Sequence, residues 1–190
     1  MALRPKTILF LVLGFVVLIG LWFWSGYNSL VTQQETVKNA WAQVETTYQR
    51  RIDLVPNLVS TVKGEANFEQ STLTAVTQAR TQWMNAADRP SQVAAAEGME
   101  GALARLLVTV EAYPQLKATQ GFQDLMAQLE GTENRINVAR RDYNDAVKTY
   151  NIAVRRFPNN ILAGIFDFPQ EKMFEATAGA DIAPTVDFTK

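Results

Sequence analysis

The stretch FQDLMAQLEGTENRINVARRDYNDAVKTYNIAVRRF, residues 122–157, decides the fold. Along it Phe122, Leu125, Leu129, Thr132, Ile136, Ala139, Tyr143, Ala146, Tyr150, Ala153 and Phe157 recur in alternating steps of 3 and 4. That spacing keeps one face of an α-helix apolar and is the seam of a left-handed helical bundle. The expected helix runs from about Thr119 to Phe157, and Pro158-Asn-Asn160 stops it. A second stripe runs through Leu30, Val37, Trp41, Val44, Tyr48, Ile52, Val55, Val59 and Val62. Pro56 falls inside it. It removes a backbone donor and clashes with the Ile52 carbonyl, but the stripe stays in phase across it, so a kink is expected rather than a break.

Two shorter helices fill the middle. One spans Phe68 to about Ala86, with Leu73, Val76, Ala79 or Arg80, and Trp83 on one side. After the turn Asp88-Arg-Pro-Ser91, with Ser91 as the expected N-cap, the other runs to about Ala112 and ends at Tyr113-Pro114. Its first half is small (Ala94, Ala95, Ala96, Gly98, Gly101). Its second half is apolar (Leu103, Leu106, Leu107, Val110). No alternating strand pattern is present. The reading is an all-α chain forming an elongated antiparallel four-helix bundle over residues 28–157.

Upstream, Ile8 to Trp24 is a run of 17 residues without a formal charge, and Thr7 to Tyr27 extends it to 21. At 1.5 Å per residue that matches the roughly 30 Å of a bilayer hydrocarbon core. Trp22, Trp24 and Tyr27 cluster at its far end, as aromatic anchors at a membrane interface do. No small-x-small cleavage site follows, so residues 7–27 read as an uncleaved transmembrane helix rather than a signal peptide. Arg4 and Lys6 precede the span, and only Lys38, offset by Glu35, lies close after it. The positive-inside rule then leaves residues 1–6 in the cytoplasm and the remainder outside.

Composition removes most catalytic chemistry. Among 190 residues there is no cysteine and no histidine. Thiolate metal sites, disulfides, His-based triads and HExxH zinc sites are therefore excluded. With 18 basic and 19 acidic residues the net charge is −1, which gives no footprint for nucleic acid. Ser60-Thr-Val-Lys63 has the spacing of a serine–lysine dyad but lacks companion motifs, and reads as ordinary surface. The carboxylate pairs Glu130/Glu133 and Asp142/Asp145 read as solvated surface. A di-metal bundle would need Glu-x-x-His. No cofactor is expected.

Two places are polar or aromatic beyond what packing requires. Asn134, Arg135, Asn137, Arg140, Arg141 and Asn144 could form a buried register-fixing network with Arg50, Arg51, Asp53 and Asn57. The alternative to that structural role is an anion or peptide groove between the two long helices. In residues 158–190, the aromatics of an irregular tail (Ile165, Phe166, Phe168, Phe174, Phe188) are expected to pack on the bundle end. The sharper alternative is an exposed patch that docks a partner or dips into the bilayer.

Three segments carry a resemblance. They are Tyr27-Asn-Ser-Leu-Val31 with Trp41-Ala-Gln-Val-Glu45 and Arg51-Ile-Asp-Leu-Val-Pro-Asn-Leu-Val59; residues 133–151; and Phe157-Pro-Asn-Asn160 leading to Val186-Asp-Phe188. Together they resemble the LemA family of bacterial membrane proteins. The resemblance implies an N-terminal membrane helix, an extended helical bundle, and no established catalytic mechanism. The chain departs from that pattern at Glu65-Ala-Asn-Phe68, where an aromatic and a His-Glu pair would stand.

The functional expectation is a non-enzymatic scaffold or accessory protein at the bacterial inner membrane. Its partners would be the lipid bilayer, an unidentified membrane or envelope protein, and a possible second copy. The alternative is an extracytoplasmic sensor that binds a small ligand and signals through another protein.

Overall fold

The two long stripes each become one helix. In the computed structural model, which describes residues 5–64 and 68–174, six helices and no strand are present among the described residues. They are α1 (Pro5–Lys63), α2 (Gln70–Asn85), α3 (Arg89–Val110), α4 (Pro114–Lys117), α5 (Gln120–Arg155) and α6 (Asn159–Ile165). Glu65-Ala-Asn67, where the chain departs from the family pattern, and Phe188 of the tail lie outside the described residues.

Helix α1 passes through Pro56 without a break. The proline faces solvent, so its ring does not displace the core. Opposite it, Val37, Trp41, Val44, Tyr48, Ile52, Val55, Leu58 and Val62 are buried. Burying each such side chain contributes about 1.5–3 kcal/mol, enough to hold one missing hydrogen bond in place. The seam takes Leu58, fully buried, where Val59 was expected; Val59 is half-buried.

Helix α5 buries Phe122, Leu125, Leu129, Thr132, Ile136, Ala139, Tyr143, Val147, Tyr150 and Val154. From Tyr143 the seam steps by four to Val147. This selects the larger Val147 and Val154 over the expected Ala146 and Ala153. Phe157 lies beyond the last residue of α5 and is 75% exposed, contrary to its place in the sequence stripe.

The capping of α3 also differs from expectation. Asp88 is the N-cap and Ser91 stands at the third helical position. The Ser91 N–H donates to Asp88 Oδ1 at 2.8 Å, closing a capping box. Pro90 fits inside this first turn because its missing donor would have been unpaired there. Tyr113-Pro114 ends α3 but also opens α4, whose Leu116 is buried. After Pro158 the chain forms α6, with Leu162 and Ala163 buried, where an irregular tail was expected.

Packing divides the chain into two compact units. One comprises residues 31–146. The other comprises the described parts of 1–30 and 147–190. In the first, the Tyr48 and Trp83 rings lie 4.9 Å apart, tying α1 to α2. The Trp41 and Tyr143 rings meet edge to face at 5.2 Å, tying α1 to α5. In the second, Leu9 to Trp24 is exposed at every position but Phe23. Among the described residues one helix, this one, is long and apolar enough to cross a membrane, and only 6% of its most apolar stretch is buried.

Candidate functional site

Within residues 31–146, charged side chains enter the seam from three helices. Arg51 is 5% exposed and its guanidinium pairs with the Glu133 carboxylate across α1 and α5. Asn137 Nδ2 donates to the same carboxylate at 3.1 Å. The Nε and Nη1 groups of Arg51 have no hydrogen-bond partner among the described residues. The guanidinium is therefore only partly satisfied, and Glu133 is the carboxylate that pairs with it.

One turn along, Tyr48 donates to Glu100 Oε1 at 3.0 Å, and Arg140 Nη1 donates to the same oxygen at 3.3 Å. Helices α1, α3 and α5 thus meet at one carboxylate. Burial, and then the charge of Glu100, pushes the Tyr48 hydroxyl well above a tyrosine's ordinary range. The hydroxyl stays a donor at any physiological pH.

Of the residues singled out by sequence, Arg51, Arg140 and, through Glu133, Asn137 reach these two centres. Asp53 and Asn57 do not. Both are exposed, and Asp53 accepts from Gln49 Nε2 at 2.8 Å on its own helix. Asn134, Arg135 and Arg141 are also exposed, and Asn144 is half-buried. These side chains extend off the flank of the seam helix, so they cannot all enter the core. Glu133 was read as plain surface and instead holds Arg51. Glu100 carried no signal in the sequence. The buried Tyr48 does carry one, because a buried phenol needs an acceptor.

The exposed members have a place of their own. Arg50, Asn134, Arg135 and Asp142, with Gln43 and Thr46, line an open groove of about 510 Å³ between α1 and α5. Its walls offer guanidinium and amide donors beside one carboxylate, a surface suited to hydrogen-bonding rather than to enclosing a small molecule. Between α2 and α3 runs a wider furrow of about 1020 Å³ lined by Thr77, Thr81, Asn85, Ser91, Ala94 and others. Among the described residues, no group of three or more His, Cys, Asp or Glu is placed to hold a metal ion. The Ser60 hydroxyl donates to the Pro56 carbonyl at 2.8 Å, which is back-bonding within a helix rather than nucleophile geometry.

In the other unit, the Phe166 ring meets Tyr27 at 4.8 Å and Phe23 at 5.7 Å, and Phe168 meets Tyr27 at 5.8 Å. Phe168 and Phe174 are buried, while Ile165 and Phe166 are exposed. Trp22 and Trp24 stay exposed on α1. Asn151 fastens the stretch after α6. Its Nδ2 donates to the Glu171 carbonyl at 2.8 Å and its Oδ1 accepts the Glu171 N–H at 2.9 Å.

The sequence pattern of the LemA family matches residues 40–188. Magnetosome protein MamQ 2 of Paramagnetospirillum magneticum is 29% identical over 181 residues, covering 82% of this chain and 66% of its own length. Protein LemA of Metamycoplasma hominis is 26% identical over 172 residues, covering 88% of this chain and 78% of its own. Magnetosome protein MamQ of Magnetospirillum gryphiswaldense is 26% identical, with 82% and 66% covered. This chain therefore spans just under two thirds of the magnetosome relatives it matches. None of these names specifies a reaction.

Proposed function

The chain belongs to the LemA family, and from that premise we propose that it is a membrane-anchored, non-enzymatic scaffold presenting a protein-interaction surface at a bacterial inner membrane. Residues 7–27 span the bilayer, with residues 1–6 in the cytoplasm. Residues 28–157 form an antiparallel four-helix bundle.

One observation carries the reading. A single helix, α1, holds an exposed apolar stretch long enough for a bilayer and, further along, a buried stripe that joins a helical core. An exposed apolar helix of that length is stable only where lipid covers it. Beyond it, Arg51 with Glu133, and Tyr48 and Arg140 with Glu100, tie helices together, while Arg50, Asn134, Arg135 and Asp142 line an open groove. The groove of Arg50, Asn134, Arg135 and Asp142 is the proposed contact surface, and its mixed donors and acceptors suit a polar protein segment.

Cross-linking in native membranes followed by mass spectrometry tests this. The expected result is a specific membrane or envelope protein cross-linked near the groove, lost when Arg50→Glu and Arg135→Glu are combined. A chain that leaves the membrane on alkaline carbonate washing would overturn the anchor. A ligand-dependent rise in melting temperature across a metabolite panel, with no cross-linked protein, would favour the sensor instead.

A further inference from the structure

Helix α6 is short and two-faced. Its inner side chains Leu162 and Ala163 are buried. Leu162 sits so close to Gly26 that a Cβ at position 26 would lie 2.5 Å from Leu162 Cδ1. Its outer face and flanks turn four large apolar side chains to the outside. Phe157, Ile161, Ile165 and Phe166 are 75%, 48%, 60% and 44% exposed. Single exposed apolar residues need no explanation, but four within ten positions form a patch that water does not favour.

The rings fix the depth of this patch. Phe166 touches Phe23 and Tyr27, at the far end of the apolar span of residues 7–27. With that stretch in a bilayer, anything in contact with Phe23 and Tyr27 stands at the boundary between acyl chains and headgroups. The charge there agrees. Exposed Arg155 and Arg156 directly precede Phe157. Residues 147–174 carry Lys148, Arg155, Arg156 and Lys172 against Asp167 and Glu171. Guanidinium groups beside an apolar ridge can reach phosphates while their stems stay with the acyl chains.

We propose that the outer face of α6 is an interfacial lipid-binding surface, seated among the headgroups of an anionic phospholipid bilayer beside the point where α1 leaves it. It gives the chain a second membrane contact, so that residues 147–174 are held down on the surface. The proposal rests on α1 being the membrane anchor.

The absence of cysteine makes the test clean. Single variants Ile161→Cys, Ile165→Cys, Leu13→Cys and Ala94→Cys of the full chain carry an environment-sensitive fluorophore. Each is reconstituted in phosphatidylcholine–phosphatidylglycerol vesicles with brominated acyl chains. Labels at 161 and 165 should be quenched about twofold or more over the aqueous reference at 94, and less in vesicles lacking phosphatidylglycerol. Quenching at 13 with labels at 161 and 165 as wet as that at 94 would overturn the interfacial surface and leave the anchor standing. No quenching at 13 would overturn both. Cross-linking of Ile161→Cys between two copies, without quenching, would assign the face to self-association and overturn the proposal.

Discussion

Ile19 and Ile52 lie on the same helix, yet Ile19 is 45% exposed and Ile52 is fully buried. Around Ile19 almost every residue is apolar and exposed. Around Ile52 apolar residues recur only every three or four positions, with polar ones between. The first pattern, which the proposed function places in lipid, needs no register. The second is covered by other helices and must hold register to within one residue, which is where the ion pairs and the tyrosine bond are found. Hydrophobicity by itself separates the two poorly; its periodicity separates them well.

The sharpest break of this comparison is the same substitution made at both isoleucines. Ile52→Ala should destabilise the detergent-solubilised chain by about 2–5 kcal/mol through the cavity it leaves. Ile19→Ala should change thermal unfolding by less than about 0.5 kcal/mol, as at a surface. Equal effects at both sites would erase the distinction.

Next in size is Glu133→Gln, which strands the buried Arg51 charge. Because the Glu133 side chain is 42% exposed, the cost should fall to about 2 kcal/mol, below that of a fully buried pair. Chemical denaturation would measure it, and Arg51→Met made in the same background should recover part of the loss.

Tyr48→Phe removes one hydroxyl–carboxylate bond and should cost about 1–2 kcal/mol at neutral pH. Its pH dependence has a definite sign. The folded state holds the Tyr48 proton more tightly than the unfolded one, so this contribution is complete below the ordinary tyrosine pKa of 10.0 and declines as pH rises above it. Wild-type protein should therefore lose stability in alkali more steeply than Tyr48→Phe, as read by melting curves across that range.

The smallest effect belongs to the cap of α3. Hydrogen bonds from Ser91 lower the Asp88 pKa, so its stabilisation is present at neutral pH and fades as pH falls through the folded-state value. Asp88→Asn should flatten the acid limb of the melting profile slightly without moving the neutral value much.

Both seams were legible because a repeat of three and four is a property of one helix read alone. Where the sequence misled, the choice lay between neighbours that satisfy the same repeat: Val59 or Leu58, Ala146 or Val147. Only the opposing helix decides between them. Phe157 misled for another reason. It continues the spacing, but α5 has ended at Arg155 and the spacing no longer describes a helix face. The polar centres were half-legible. Arg51 and Arg140 announced themselves as charges near a stripe, but their partners Glu133 and Glu100 follow from how α1, α3 and α5 align, which spacing along any single helix does not contain. The two-faced α6 was hidden because seven residues are too few to display a period.

Asn151 grips position 171 only by its main-chain atoms, donating to one and accepting from the other. The clasp is indifferent to which amino acid occupies 171, provided it is not proline, and intolerant of change at 151, where even aspartate would forfeit the donor. Mutational tolerance across these two sites should be lopsided: nearly free drift at one, near-fixation at the other.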